Sequence, residues 1–244
     1  MRRRFHDHGG GAPESVTYQA IERFLPRFLQ RYILHFEAAI EDSLASFSAG
    51  LAPGARVLDA GAGERVHAKF FTGARYVAVD LAVGDSTWDY RKLDAVADLT
   101  ALPFPDGCFD ACINIVTLEH IREPARALGE MERTLVPAGR LLMIVPHEWE
   151  VHQSPHDYFR YTRHGVGYLL NQAGFSEFTI EPVGGYFRLL SRRLLNGLQF
   201  FPGPLFFLAA LFMAPPALIL PWFDSLDRER NFTLGYICTA RKRS

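Results

Sequence analysis

A glycine-rich segment between two carboxylates is the clearest candidate for chemistry in this sequence. Asp59 ends a short apolar run, and glycines follow at positions 61 and 63. Glycines let a ligand approach the backbone closely, and a turn that opens a helix directs N–H donors toward that ligand. A second apolar run ends at Asp80, about 20 residues after the loop, where a carboxylate can accept both hydroxyls of a ribose. The spacing therefore predicts a site for a nucleoside-containing cofactor.

Two cofactor classes fit such a loop, and the residue types separate them. A dinucleotide needs a third glycine three residues after the second, so that its pyrophosphate can rest on the helix, but Val66 stands there. The Asp59 carboxylate would also repel a pyrophosphate. The same carboxylate suits a cofactor that carries an amino group and a sulfonium cation. The sequence therefore favours S-adenosylmethionine (SAM) over NAD. Taken alone, Asp59 could instead be a helix cap, and Asp98, a carboxylate further along the chain, could belong to a turn.

A second concentration of reactive side chains follows the fifth predicted strand. His147, His152 and His156 lie there, and each imidazole could accept a proton near neutral pH. Loops at the carboxyl ends of strands line the site in an open α/β sheet. Methyl transfer to an oxygen needs a base, so the three histidines are candidate catalytic bases. Each could instead be a surface residue or a residue that stabilises its loop.

Five segments, in this order and spacing, resemble the class I SAM-dependent methyltransferases, in particular the type 11 methyltransferase group. The segments are residues 57–63, 76–81, 98–104, 109–120 and 135–141. The resemblance covers about residues 50–184 and the last strand. A stretch of the form Pro-x-Asp-Tyr-x-Arg-Tyr at residues 155–161 is also similar to bacterial members found near glycan and glycolipid genes.

The resemblance implies a role for each matched residue. The methionine end of SAM would be held by Asp59 and by the backbone at Gly61 and Gly63. At the nucleoside, Asp80 would bind the ribose hydroxyls and Leu81 would pack on the adenine. Asp98 would accept a hydrogen bond from the adenine amino group, with the Leu99 backbone beside it. Ile115 would border the cofactor. His120 would orient a neighbour at most. The family often has a third loop glycine where this chain has Arg65.

Alternating strands and helices must position these groups. Short apolar runs alternate with helical runs, which favours a parallel sheet with helices on both faces. The predicted strands are residues 56–60, 75–80, 96–99, 109–116, 140–145, 177–183 and 233–240, and the helices between them are 64–71, 124–135 and 164–173. In the resembled family the last strand is antiparallel. The expected fold class is α/β, a Rossmann-like seven-stranded mixed sheet with an apolar insertion between strands six and seven.

The chain divides into three predicted regions. Residues 1–49 form a tail and an amphipathic helical segment, 50–184 with 233–244 form the SAM-binding domain, and 185–232 form the insertion. In the first region apolar residues recur at helical spacing, Pro26 predicts a kink or a new helix, and arginines at 23, 27 and 31 line one edge. This segment either packs on the core or lies as a basic amphipathic helix on a membrane.

The insertion has no charged residue between positions 194 and 223, a length that suggests contact with a membrane. Prolines at 202, 204, 215, 216 and 221 predict short helices. Strands six and seven would both meet the insertion at the carboxyl-end edge of the sheet, which excludes a single crossing of the bilayer. We expect a re-entrant or membrane-surface hairpin flanked by Arg188, Arg192 and Arg193. The alternative is an apolar cap buried against its own domain or a dimer mate.

Bulk composition narrows the classes further. The 244 residues are 48% hydrophobic and 22% charged, which excludes global disorder. The net charge of −1 gives no general attraction to nucleic acid. Residues 1–15 lack the apolar core of a secretory signal, which predicts a start in the cytosol. No His or Cys cluster accompanies Cys108, Cys112 and Cys238, so we expect free thiols and no metal site.

The combined expectation is an enzyme: a membrane-associated, SAM-dependent methyltransferase that transfers a methyl group to an oxygen of a lipid-linked sugar or another lipid-like acceptor. It would sit on the cytoplasmic side, peripheral or re-entrant at the inner face of the membrane. Two alternatives stay open. One is a soluble methyltransferase with a small-molecule acceptor, and the other is a non-catalytic binding or scaffold protein that keeps the fold. The sequence leaves the oligomeric state open.

Overall fold

Seven strands form one mixed sheet in residues 26–84 and 87–244, the part of the chain that the computed structural model describes. They are β1 (Arg56–Ala60), β2 (Arg75–Asp80), β3 (Ala95–Val96), β4 (Phe109–Ile115), β5 (Leu135–Pro146), β6 (Phe175–Val183) and β7 (Gly235–Lys242). Their order is β3-β2-β1-β4-β5-β7-β6, with β1 to β5 parallel and β7 antiparallel to both of its neighbours. The predicted Rossmann-like mixed sheet, with its antiparallel last strand, is confirmed.

Helices cover both faces of this sheet, as predicted. They are α1 (Arg27–Ile33), α2 (His35–Ala49), α3 (Pro124–Thr134), α4 (Arg163–Gln172), α5 (Tyr186–Gly197) and α6 (Pro204–Ile219), with 3-10 segments at Val66–Phe70, Tyr90–Lys92, Leu118–His120, Leu198–Phe200 and Leu220–Leu226. Leu128 and Met131 of α3 are buried in the core of one face, and Phe36 and Leu44 of α2 in the core of the other. Both α3 and α2 thus bury an apolar stripe against the strands.

Strand six begins two residues before its predicted start and strand seven lies two residues after its predicted position, and three further predictions are wrong. The fifth strand begins at Leu135 and not at residue 140, because Leu135 pairs with Phe109 before a register shift leads to the Arg140–Ala111 pair. The third strand is only two residues long. The helix predicted at 64–71 is a 3-10 segment that starts at Val66, since Arg65 has a φ of 65° and left-handed backbone cannot continue an α-helix.

Of the N-terminal segment, α2 packs on the core through Phe36 and Leu44, whereas α1 has no buried residue and Phe28 is 70% exposed. Residues 1–25, with the predicted Arg23 edge, lie outside the described residues. α1 begins directly after Pro26, as a proline that opens a helix allows. A second break separates α1 from α2 at Leu34, where no proline or glycine marks it in the sequence. Arg31 donates to Asp42 at 2.6 Å and lies 3.4 Å from Glu41, so it is paired within the chain.

The insertion is a helical hairpin of α5 and α6 that leaves the sheet and returns at one edge. Val183, the last residue of β6, pairs with Gly235, the first of β7. The Asp224 carboxylate closes the hairpin, because it accepts hydrogen bonds from the backbone N–H groups of Gly185 and Arg188 at the start of α5. The expected exit and re-entry at the carboxyl-end edge are therefore confirmed.

The prolines do not divide this hairpin as predicted. α6 continues for 16 residues through Pro215 and Pro216, although neither residue can donate a backbone hydrogen bond. Packing against α5 compensates: Ser191 Oγ donates to the Ala217 carbonyl at 2.5 Å. Tyr32 Oη donates to the Leu218 carbonyl from the N-terminal side. Tertiary contacts thus hold a helix that local sequence disfavours.

Most of this hairpin surface faces outward. The segment Pro204–Leu226 is long and apolar enough to cross a membrane, and only 11% of its most apolar window is buried. Four aromatic side chains in this segment or just before it are 70–76% exposed: Phe200, Phe207, Phe212 and Trp222. The interpretation as a cap buried against its own domain is therefore wrong for these residues.

Candidate active site

A cavity of about 840 Å³ opens at the carboxyl ends of β1, β2 and β4. Ligand pockets typically have volumes of roughly 300–1,000 Å³. The wall of the cavity includes the glycine loop, the segment after β2, the segment after β4 and the loop at residues 152–158. Parallel strands that end at one edge bring these separate segments together, as expected for an open α/β sheet.

The backbone of the glycine loop explains why a glycine occupies position 61. Gly61 has a φ of 93°, and a Cβ built there would lie 2.2 Å from Thr117 Cγ2. Gly63 also has a positive φ, and its N–H donates to Asp80 Oδ2 at 2.9 Å. The loop therefore turns tightly around the end of β1 and is held by the carboxylate at the end of β2.

Seven of the eight predicted cofactor-binding residues line the cavity: Gly61, Gly63, Asp80, Leu81, Asp98, Leu99 and Ile115. The Asp80 carboxylate accepts from two backbone N–H groups and keeps lone pairs for further donors. Asp98 Oδ1 accepts from the backbone and side chain of Thr100. The exposed Leu81 supplies an apolar surface on the same wall. These groups fit the nucleoside of SAM, because the carboxylates can accept hydrogen bonds from the ribose hydroxyls and the adenine amino group, and the aliphatic side chains can cover a ring.

Asp59 lies elsewhere. It is fully buried on β1 and does not line the cavity. Its Oδ2 accepts a hydrogen bond from the Tyr76 hydroxyl, while its Oδ1 has no hydrogen-bond partner among the described residues. Burial raises the pKa of this carboxyl to about 7, against the opposing effect of the Tyr76 hydrogen bond. Asp59 thus lies behind the cavity wall, whereas the resemblance implies a contact with the methionine end of SAM. Its unpartnered Oδ1 suits a cationic donor.

Arg65 explains the departure from the family's third loop glycine. Its φ of 65° is a conformation that glycine adopts most easily. The side chain compensates through contacts of its own: its guanidinium donates to the Lys92 carbonyl at 2.9 Å and lies 3.4 Å from Asp94. The loop thus keeps the backbone shape that a glycine would give.

The candidate bases divide into two groups. His152 and His156 line the cavity, together with His120. His147 does not line it; its Nδ1 is 2.7 Å from the Tyr161 carbonyl, and its ring lies against Tyr236. The geometry therefore speaks against His147 as a base, because a base must reach the acceptor.

Glu119, His120 and His152 form a cluster beside the cavity that the sequence did not reveal. Glu119 is fully buried, and its Oε1 lies 3.7 Å from Nε2 of each histidine. Burial lowers the pKa of His120. Burial also lowers the pKa of His152, but the neighbouring Glu119 carboxylate and Glu150 carbonyl outweigh it, so this pKa is raised. The distance of 3.7 Å is too long for a hydrogen bond and still close enough for attraction.

Sequence reasoning also missed two other residues of the wall. Thr117 packs against the glycine loop, and its Oγ1 donates to the Gly61 and Ile115 carbonyls. Trp88 faces the backbone of Gly63 from the loop after β2. Nothing in their local sequence marks them. Glu119 and His120 carried a signal, the Leu-Glu-His motif, but its partner His152 lies 33 positions after Glu119 in the chain.

Comparison with known proteins agrees with this geometry. Residues 58–143 match a family model described as a methyltransferase domain. A demethylmenaquinone methyltransferase of Renibacterium salmoninarum is 38% identical over 100 residues, which are 38% of this chain and 42% of that protein. The match thus spans about two-fifths of the length of the curated relatives.

Two solved structures share the fold. The 1,6-didemethyltoxoflavin-N1-methyltransferase of Burkholderia thailandensis, solved with S-adenosylhomocysteine, has a TM-score of 0.52 and 18% identity and covers 99% of each chain. The cyclase SpnF has a TM-score of 0.53 and 23% identity and covers 83% of this chain and 80% of its own. At these identities the likeness concerns the fold alone. Together with the match at residues 58–143, it leads to one conclusion: residues 58–143 are similar to a methyltransferase domain, and they lie within a Rossmann-like fold.

Proposed function

We propose that this protein transfers a methyl group from SAM to a lipid-like acceptor at a membrane surface. One observation carries the proposal: an outward-facing apolar hairpin is fastened to the loop that forms part of the cavity wall. The cofactor cavity and the apolar surface are therefore neighbours, and an acceptor that resides in a bilayer has a short path to the cofactor.

On the cofactor side, the residues of this chain bind and orient. Asp80 would accept hydrogen bonds from the ribose hydroxyls and Asp98 one from the adenine amino group, with the Leu99 backbone beside it. Leu81 would cover the ring. When bound, SAM supplies an electrophilic methyl group on its sulfonium sulfur. The protein then contributes alignment and exclusion of water.

On the acceptor side, the loop at residues 147–161 connects the hairpin to the cavity. Arg193 of α5 donates to Glu150 Oε2 at 2.8 Å and to the Glu148 carbonyl at 2.9 Å. The same loop supplies His152 and His156 to the cavity wall. An acceptor that loses a proton on methylation could pass it to His156, whose ring lies on the cavity wall and outside the group of Glu119, His120 and His152.

The flanking arginines do not support docking in the way predicted. Arg188 lies 3.5 Å from Asp224, Arg192 pairs with Glu37, and Arg193 pairs with Glu150, so all three are engaged within the chain. Docking would therefore depend on apolar and aromatic insertion. Exposed phenylalanine and tryptophan side chains favour the interfacial zone of a bilayer.

The hairpin geometry favours docking over crossing. α6 spans about 24 Å at 1.5 Å per residue, and it packs antiparallel on α5, with Gly197 near Met213 and Ser191 bonded to Ala217. Both ends of the insertion meet the sheet at one edge, where Val183 pairs with Gly235. The helix would accordingly lie with its exposed face in the interface.

The acceptor class rests on two supports. The apolar hairpin favours a lipid-like molecule, and the related demethylmenaquinone methyltransferases favour a quinone-like lipid over a lipid-linked sugar. The acceptor atom follows from the acceptor: in a quinol, a hydroxyl or the ring carbon beside it becomes nucleophilic when a proton leaves. The match to the family model covers residues 58–143 and not the whole chain.

The first test is SAM binding measured by calorimetry. Asp80→Ala removes the acceptor of charge-assisted hydrogen bonds worth about 1.5–3 kcal/mol, so SAM binding should weaken by roughly 10-fold or more. Asp106→Ala is the matched control, because this exposed carboxylate lies outside the cavity wall. A cooperatively folded wild type that binds no SAM would refute the proposal.

The second test follows the label. Methyl-labelled SAM is incubated with a membrane lipid extract and with a soluble small-molecule extract, and the label should appear in the lipid. Label only in the soluble fraction would favour the soluble enzyme. No turnover with intact SAM binding would favour a non-catalytic binding protein.

The third test addresses the membrane. Wild-type protein should float with anionic phospholipid vesicles, and Phe207→Glu with Phe212→Glu should abolish flotation without changing SAM affinity. Tyr168→Glu, at an equally exposed aromatic on α4, is the control. A wild type that stays in the aqueous fraction and has the mass of a dimer would show that a second copy covers the hairpin.

A further inference from the structure

We propose that Glu119, His120 and His152 bind a divalent first-row transition-metal ion on the wall of the cofactor cavity. One side-chain ligand atom from each residue lies within 4.8 Å of the other two. The inference goes beyond methyl transfer, since metal binding does not depend on which acceptor the cavity takes. The sequence predicted no metal site, because His152 lies 33 positions after Glu119 and only the fold brings it to Glu119 and His120.

The first support is a buried carboxylate that lacks partners. Glu119 has no exposed surface, and neither of its oxygens has a hydrogen-bond partner among the residues that the structure describes. An ionised carboxylate held in this way is strongly destabilising unless a cation or hydrogen-bond donors offset its desolvation. His120 Nε2, on the same spot, is likewise buried and unpartnered. A shared cation would satisfy both atoms.

The second support is the orientation of the imidazoles. His120 Nδ1 lies 2.7 Å from the His156 carbonyl, and His152 Nδ1 lies 3.1 Å from the Glu150 carbonyl. A carbonyl only accepts, so His120 Nδ1 carries the proton and leaves a lone pair on Nε2. At His152 the Glu150 carbonyl at 3.1 Å is closer to Nδ1 than the Arg160 Nη2 donor at 3.4 Å, which favours the same tautomer. Both Nε2 atoms are 3.7 Å from Glu119 Oε1. Metal-binding histidines characteristically have this arrangement, with the distal nitrogen donating to a carbonyl or carboxylate.

The third support is the way the His152 loop is held. Asp157 is nearly buried, accepts from the His152 backbone N–H at 2.8 Å and lies 3.5 Å from His152 Nδ1. Arg160 donates to both oxygens of Asp157. This ion pair fixes His152 opposite Glu119 and His120, which follow β4. Asp157 and Arg160 are therefore positioning residues for the site.

The ligand set indicates the class of ion. Two imidazoles and one carboxylate form a set that binds Zn²⁺ or Fe²⁺ and leaves coordination positions open. Ligands about 2.1 Å from a tetrahedral ion are spaced about 3.4 Å apart, which is close to the 3.7 Å between Glu119 Oε1 and each Nε2. Since His120 and His152 line the cavity and Glu119 lies behind them, the open positions would face the cavity. A hydroxyl bound there would lose its proton at a lower pH than in water.

A competing arrangement uses the same residues without a metal. A protonated His152 could form an ion pair with Glu119, and His120 would stay neutral. The two arrangements differ in one measurable property, the binding of one ion per chain.

Zinc titration of the chelator-stripped full chain decides between them. Folding is checked by cooperative thermal unfolding, which is independent of SAM binding and of turnover. Zn²⁺ is titrated in competition with a fluorescent chelator, and Co²⁺ is added separately to follow its visible absorption. We expect one ion per chain, with affinity reduced more than about 100-fold by His152→Gln and by Glu119→Gln, since even outer partners of metal ligands contribute 10–100-fold.

His156→Gln is the matched control, because His156 lines the same cavity while its side chain lies outside the cluster. It should retain zinc affinity within about threefold. If Glu119→Gln fails to fold, His152→Gln decides the outcome. A folded wild type that binds no stoichiometric zinc, or equal losses in His152→Gln and His156→Gln, would overturn the metal site in favour of the ion pair. Loss of SAM binding alone would leave it standing.

Discussion

Replacing Gly61 with alanine tests the geometry of the cofactor loop. Gly61 has a φ of 93°, and an added Cβ would lie 2.2 Å from Thr117 Cγ2, 2.6 Å from Oγ1 and 2.8 Å from Cβ. Left-handed backbone costs an alanine about 1–2 kcal/mol. Overpacking against a β-branched residue adds about 1–3 kcal/mol. We therefore expect Gly61→Ala to reduce the free energy of unfolding by about 2–5 kcal/mol and to weaken SAM binding.

Thr117 cannot move away at little cost. Its χ1 is restricted by branching at Cβ, and its Oγ1 donates to the carbonyls of Gly61 and Ile115. Rotation would exchange the two groups that clash without moving Cβ. The strain must then reach the backbone at the end of β4, which forms the opposite side of the loop.

Urea unfolding followed by circular dichroism measures the effect, with calorimetry for SAM. Gly54→Ala is the matched control, because Gly54 has a φ of 76° and nothing within 4 Å of the added Cβ. It isolates the backbone cost of about 1–2 kcal/mol. Thr117→Ala in the Gly61→Ala background should recover about 1 kcal/mol of the remainder. Equal losses in Gly61→Ala and Gly54→Ala would refute the steric reasoning.

Two further predictions concern buried charges. Burial raises the Asp59 pKa from 3.8 to about 7 although Tyr76 donates to it, so between these values the unfolded chain ionises while the folded chain does not. Unfolding free energy should fall by up to about 4 kcal/mol as pH rises through that window, and urea unfolding of Asp59→Asn should show a flat profile; a slope like that of the wild type would contradict it. Arg192 is buried, pairs with Glu37 and lies 4.1 Å from the Trp149 ring, so Glu37→Gln should cost about 3 kcal/mol. Adding Arg192→Met should recover part of that loss, and an additive double variant would speak against a buried-charge cause.

Much of the fold was readable from local pattern. The alternation of strands and helices, the glycine loop and the carboxylate at the end of β2 depend on short-range sequence, since periodicity and turn chemistry are local. The start of α3 at Pro124 followed from a proline at the first helical position. By contrast, α6 runs through Pro215 and Pro216 because α5 packs against it, and no local rule predicts that support.

The sequence by itself determined the fold class and most of the predicted cofactor-binding residues that line the cavity, because a parallel sheet brings the carboxyl ends of its strands to one edge. Only the tertiary structure decided which charged side chains are buried and with which partners they pair. Burial placed Asp59 behind the cavity with Tyr76, and Arg192 turned inward to Glu37 and not outward to a membrane. It also brought His152 against Glu119 and His120. Desolvation and pairing depend on which distant segments meet, and that is a property of the folded chain.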